Sequence, residues 1–214
     1  MTEAQLHDAY RSLRKSFGHQ KWWPGETPFE VMVGAILTQN TAWTNVEKAI
    51  LNLKKAKALT PSAMRKLSGS ELAELIRPAG FFNVKAQRLR HFLDFLFEEY
   101  DGDLKRMFRE RGFNLRKKLL AVKGIGPETA DSMLLYAAGK AFFVIDAYTK
   151  RIFSRHGLLS DEVDYASWQE VFTKALPKSR PLFNDYHAQI VQLAKQHCKA
   201  SRLLCEGCPL QRFF

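Results

Sequence analysis

The chain has 214 residues, 46% of them apolar, enough to bury a core as one domain or two intimate ones without help from disulfides. Lys and Arg number 33 against 22 Asp and Glu, and the net charge of +11 points to a polyanionic partner, with nucleic acid first. No apolar run is long enough to span a bilayer and the amino terminus has no apolar signal region, so the expectation is a soluble, cytoplasmic, nucleoid-associated monomer with no membrane partner.

The first segment, MTEAQLHDAYRSLRKSFG, has the spacing of an amphipathic helix. Trp23, Pro24 and Gly25 then mark a boundary. Beyond it, Val31, Ile36 and Leu37, then Val46, Ile50 and Leu53, then Leu72, Leu75 and Ile76, then Leu89, Phe92, Leu93 and Leu96 recur at helical steps. The punctuation is helical as well: Thr60 caps a helix with Pro61 in its first turn, and Ser68 with Glu71 has capping-box spacing. Strand-like alternation is confined to Ala141–Ile145, just after a second boundary at Gly139 and Lys140. The fold class predicted is therefore all-α, with a central unit over 26–140 and a second unit built from 1–25 and 141–214. The basic residues are scattered (Lys54, Lys55 and Lys57; Lys85, Arg88 and Arg90; Arg116, Lys117 and Lys118), so a folded basic face is expected rather than a flexible arm. Each cluster alone is more often a solvated helix face.

Two places carry chemistry. In LAVKGIGPETAD, Gly124 and Gly126 flank Ile125, so the turn can reach positive φ and bring backbone N–H groups close to a ligand. Pro127 suits the first helical position, and the unpaired donors and dipole of that helix start favour a phosphate, with Lys123 as a mobile cation beside it. By itself, Gly-Ile-Gly is as readily an ordinary turn. Asp146 ends the apolar run Phe142, Phe143, Val144, Ile145. Taken alone it is more often a helix cap; at the edge of a partly dry pocket it could also stabilise positive charge or deprotonate water. The three cysteines, Cys198, Cys205 and Cys208, do not make a disulfide framework and look like a local ligand set.

The hairpin LAVKGIGPETAD followed by VIDAYTKR resembles the helix-hairpin-helix glycosylases of the endonuclease III superfamily. The likeness extends to GAILTQNT, IRPAGFFNVKAQRL and CKASRLLCEGCPL. It implies a six-helix barrel plus a second helical domain formed by both termini, double-stranded damaged DNA as partner, a base flipped into the cleft between the domains, and Asp146 as the catalytic aspartate. In the family's bifunctional members the position of Glu128 carries a lysine that forms a Schiff base with the sugar; glutamate cannot, so a monofunctional enzyme is implied. Gln39 and Asn40 stand where relatives place a residue that fills the gap left by the flipped base; a polar helix end is the equal alternative. Arg77, Lys85, Arg88, Lys150 and Arg151 are candidates for phosphate contacts.

Trp22, Trp23 and Pro24 before the first barrel helix, with Trp43 after TQNT, resemble the 3-methyladenine glycosylases of this superfamily. Adjacent tryptophans usually serve a core, yet stacked aromatics also suit a flat cationic base. A mismatch thymine/uracil or oxidised-pyrimidine glycosylase is the alternative on the same scaffold, and a non-catalytic DNA-binding module the alternative of another class. The cysteines match three ligands of the family's 4Fe-4S loop, with Phe214 at the fourth position. Three outcomes stay open: no cluster, a cluster completed by another ligand such as the terminal carboxylate of Phe214, or zinc completed by His187 or His197.

Overall fold

The computed structural model describes residues 1–20, 22 and 25–213. Twelve α-helices run along them: α1 (Leu6–Phe17), α2 (Pro28–Leu37), α3 (Trp43–Lys55), α4 (Pro61–Lys66), α5 (Gly69–Leu75), α6 (Phe82–Tyr100), α7 (Leu104–Arg109), α8 (Gly112–Ala121), α9 (Pro127–Ser132), α10 (Ala147–Arg155), α11 (Tyr165–Ala175) and α12 (Arg180–Gln196). Among the described residues there is no strand, only one isolated bridge between Cys198 and Leu203. The fold is all-α. No helix is long and apolar enough to cross a membrane. Two compact units divide the chain, Pro24–Lys140 in one and Met1–Trp23 with Ala141–Phe214 in the other.

In the first unit α2 is the buried axis. Thr27 accepts a hydrogen bond from the Glu30 N–H, Pro28 occupies the first turn, and every residue from Phe29 to Leu37 is buried. Glu30 tolerates this because the Lys54 ammonium of α3 lies 3.0 Å away. Thr60–Pro61 starts α4 and the Ser68–Glu71 capping box starts α5, both as their residues require. Along α6 the buried positions are Lys85, Ala86, Leu89, Phe92, Leu93, Leu96 and Tyr100, one face of the helix at steps of three and four. Burying each of the large apolar side chains in it stabilises the unit by about 1.5–3 kcal/mol. After α9 the helix widens into a π-helical turn, Met133–Ala137, packed on α2.

The second unit is built on aromatics. Phe143 stacks on Phe172 at 4.4 Å, and Phe183 and Tyr186 meet its ring edge-on. α1 buries Leu6, Ala9 and Leu13 in contact with α12, and the Tyr186 hydroxyl donates to the Leu6 carbonyl at 2.8 Å. The run that reads as strand-like, Ala141–Ile145, is neither helical nor paired in a strand. Side chains of α11 meet its backbone instead: Gln169 donates to the Phe143 carbonyl at 2.7 Å, and the Ile145 N–H donates to the Tyr165 hydroxyl at 3.3 Å. Apolar side chains on both faces, Phe143, Val144 and Ile145 all being buried, make it a peg in the aromatic core.

Candidate active site and nucleic-acid interface

The buried peg fixes where Asp146 goes. The chain leaves the core at Ile145 and the next residue caps α10: Asp146 Oδ1 accepts from the Thr149 N–H at 2.7 Å and from the Thr149 hydroxyl at 2.8 Å. Its side chain is 14% exposed, and Oδ2 lies 3.4 Å from Nε2 of His187 on α12. Burial acts to raise the carboxyl pKa, but His187 and the two Thr149 bonds outweigh it and hold the group below the usual carboxylate value. Asp146 is thus a helix cap and an ionised, nearly dry carboxylate at once; the two sequence readings are compatible.

In the other unit the hairpin between α8 and α9 is braced from outside. Gly124 has φ +93°, and a Cβ there would stand 2.4 Å from Cγ of Arg88. Gly126 differs: its φ is −90°, and a Cβ would meet nothing within 4 Å. Of the two glycines, then, only Gly124 is required by the backbone, while the space before Gly126 and the α9 start is open to an incoming group. Ile125 is 4% exposed and anchors the turn; what it offers a ligand is backbone. Gln39, just past α2, donates to the Gly124 carbonyl at 3.1 Å and to the Thr129 hydroxyl at 2.9 Å, and accepts from Arg88. His91 Nδ1 stands 3.1 Å from the Lys123 carbonyl. The Lys123 side chain is exposed, and Glu128 is exposed in the first turn of α9, where the helix dipole favours an acid.

Several expected phosphate ligands have other tasks. Lys85 is 1% exposed, its ammonium donating to the Leu37 and Ala79 carbonyls at 2.8 Å and to the Thr41 hydroxyl at 2.6 Å. It cannot reach a phosphate. Burial, and secondarily Arg88, lower its pKa to about 8. Lys150 donates to the Val163 carbonyl at 2.6 Å, and Arg151 grips the Cys198 carbonyl through Nε at 3.0 Å and Nη2 at 2.8 Å. Arg77 stays on the surface beside Glu74. Gln39 is engaged by the hairpin, whereas its neighbour Asn40 is exposed at φ +52°.

Phe81 was not legible in the sequence. It is 70% exposed with φ +45°, a conformation costly for an aromatic residue, on the turn that Lys85 fastens to the Thr41 loop. Lys85 and His187 did leave a trace: each is a polar residue on an otherwise apolar stripe, with Leu89 and Phe92 in α6 and with Phe183 and Ile190 in α12. Asp131, to which the sequence reading gave no role, is fully buried against Arg116 in a two-pronged pair at 2.6 and 3.0 Å.

Of the aromatic set, Trp22 lies under the Lys195 ammonium, 5.7 Å from its ring centre. Trp43 opens α3, donates to Glu47 at 2.9 Å and walls a pocket of about 340 Å³ with Glu30, Glu47, Ile50, Leu51 and Lys54. Trp23 and Pro24 lie outside the described residues.

The cysteine loop follows α12. Arg155 of α10 places Nη1 3.2 Å from Cys198 Sγ and 2.8 Å from the Lys199 carbonyl. The Cys208 N–H donates to the Cys205 carbonyl at 3.0 Å, and burial raises the Cys208 thiol pKa. All three thiols are free. Among the described residues no three His, Cys, Asp or Glu side chains gather as they would around a metal ion; His187 is at Asp146, His197 Nδ1 meets the Leu204 carbonyl, and Phe214 lies outside the described residues. Among the described residues the donor set does not complete a site for an iron–sulfur cluster or zinc.

Residues 33–178 match the family described as the HhH-GPD superfamily of base excision DNA repair proteins. The chain belongs to that family. This HhH-GPD protein is 46% identical over 210 residues to a protein of Methanocaldococcus jannaschii provisionally named a DNA repair glycosylase, covering 97% of this chain and 94% of the relative. It is 28% identical over 184 residues to the endonuclease III of Thermotoga maritima, covering 86% and 81%. Among solved structures, the H. pylori 3-methyladenine DNA glycosylase bound to 1,N6-ethenoadenine superposes with a TM-score of 0.79 at 30% identity, covering 92% of this chain and 98% of that one. The all-α architecture and the hairpin expected from the sequence are those of this HhH-GPD fold.

Proposed function

We propose that this HhH-GPD protein is a DNA glycosylase that hydrolyses the N-glycosidic bond of alkylated purines, 3-methyladenine among them, and leaves an abasic site without cutting the strand. The observation that carries the reading is Asp146: an aspartate held ionised at 14% exposure by a helix start and an imidazole, at the end of a buried apolar run. As the glycosidic bond breaks, its electron pair leaves with the base and positive charge develops on the sugar, which a fixed carboxylate in a water-poor site stabilises. The same carboxylate can take the proton of the attacking water as its oxygen bonds to the anomeric carbon. An alkylated purine already carries positive charge and departs neutral, so little further activation is needed. Trp22, Trp23, Pro24 and Trp43 are assigned to the base, and the likeness to a 3-methyladenine glycosylase supports that choice.

The Lys123–Gly126 hairpin is assigned to the DNA backbone, with the open space before Gly126 as the place for a phosphate oxygen. Glu128 supplies no amine at the position where a lyase would need one. In this reading a 4Fe-4S cluster on Cys198, Cys205 and Cys208 would be structural, and iron and acid-labile sulfide analysis of the purified chain tests for it.

The deciding experiment incubates the protein with randomly methylated DNA and identifies the released bases by chromatography, with Asp146→Asn as control. Release of 3-methyladenine that the variant loses is the expected result. Release from thymine/uracil mismatches or oxidised pyrimidines alone would replace the substrate assignment, and silence on every substrate with tight DNA binding would leave a binding module.

A further inference from the structure

α12 brings three buried polar side chains to the inside of its unit. Asp185, 2% exposed, accepts from the Tyr10 hydroxyl at 2.9 Å, Arg14 at 2.7 Å and the Gln20 N–H at 3.1 Å, and Gln189 donates to the Gly18 carbonyl. Those two hold residues 18–20 in place. His187, 5% exposed, does something else: its Nε2 faces Asp146 Oδ2 at 3.4 Å. Among the described residues, the groups that meet the carboxylate include His187 from α12 and the N–H and hydroxyl of Thr149 from its own helix; on α11, the Tyr165 hydroxyl accepts from the Ile145 N–H one residue earlier.

We propose that His187 is a positioning residue for Asp146, holding Oδ2 from α12 while Thr149 holds Oδ1. The inference rests on Asp146 being the reacting carboxylate. Two grips on two oxygens fix the carboxylate plane, which a single helix-cap bond leaves free to swing about the Cβ–Cγ axis. They also oppose the tendency of a buried carboxyl to take up a proton and so lose the charge that the sugar cation needs. Apo separations in catalytic contacts are commonly long and tighten when substrate is bound, and 3.4 Å fits that pattern. The same imidazole, met in sequence as a possible metal ligand, instead belongs to the carboxylate.

The test measures single-turnover base release from methylated DNA as a function of pH for the intact chain, His187→Phe, His187→Gln and Asp146→Asn, with thermal melting to confirm folding. In His187→Phe the acid limb should move up by about one pH unit or more, so that below the limb the rate falls about tenfold and recovers as pH rises, with DNA affinity unchanged. His187→Gln, which keeps an N–H donor but not the charge, should bring the limb part of the way back. A folded Phe variant whose profile superimposes on that of the intact chain would overturn the proposal, as would a pH-independent loss shared equally by Phe and Gln. If neither variant folds, nitrogen NMR of the His187 ring decides: its resonances should move on Asp146→Asn, and unchanged resonances would show that the two groups do not interact. Base release that survives Asp146→Asn would refute the catalytic assignment itself, a result distinct from either.

Discussion

Lys85 offers a quantitative test of the fold. Its ammonium is buried among three neutral acceptors, and its pKa is lowered to about 8 from the 10.5 of an exposed lysine. Below that lower value the folded and unfolded chains both carry the proton and the full cost of burying the charge is present. Between the two values the unfolded chain binds more protons than the folded one, so stability rises with pH there. The difference of pKa corresponds to about 3 kcal/mol in total, of which a little under half is gained by about pH 9. Comparing urea denaturation of the intact chain with Lys85→Met across this range cancels the other lysines. The intact chain should gain stability relative to the variant as pH rises, with the urea m-value constant. A difference that is flat, or that shrinks with rising pH, would mean that the ammonium is solvated and that the fastening of Leu37, Thr41 and Ala79 is wrong.

Other outcomes follow from the same structure. Gly124→Ala places a Cβ against Arg88 at φ +93° and should cost about 1–3 kcal/mol in thermal or urea unfolding, whereas Gly126→Ala should fold normally and show its defect only in DNA affinity. Asp131→Asn removes a fully buried carboxylate from its pair with Arg116, whose side chain is 23% exposed, and should lower stability by about 1.5–3 kcal/mol; a change under about 1 kcal/mol would show that the pair is not shielded. Borohydride should trap no covalent complex with damaged DNA, and an efficient adduct would reveal a lysine forming a Schiff base from somewhere other than position 128. Gln39→Ala should weaken DNA binding by loosening the hairpin even if no substrate group touches residue 39, seen as faster hydrogen exchange at Gly124 and Ile125 in the free protein.

What could be read from the sequence was whatever local chemistry dictates. Thr60–Pro61, Ser68–Glu71 and Pro127 mark helix starts because caps and prolines act within one turn, and the α6 stripe shows because burial repeats with the helix. Asp146 was legible for a similar reason: an apolar run must stay inside, so the polar residue ending it stands at the border. The partners were not legible. Nothing near Gln39 in sequence says that its amide will meet Gly124, and nothing near Lys85 names the Leu37 carbonyl. Charge counted by residue also misled, because a lysine on an apolar stripe is an internal fastener rather than a phosphate ligand. Its position with Leu89 and Phe92 was the clue, and His187 beside Phe183 and Ile190 repeats it.

The bracing of the hairpin by Gln39, Arg88 and His91 also bears on how fast the protein can search DNA. A turn already held in shape by its own unit has little conformational freedom left to lose at an encounter, so no slow ordering step stands between collision and grip. Association is then set mainly by the attraction between a chain of charge +11 and the polyanion, and salt acts first on the rate of arrival. With the hairpin assigned to the DNA backbone as proposed, short, frequent visits to undamaged duplex follow from this.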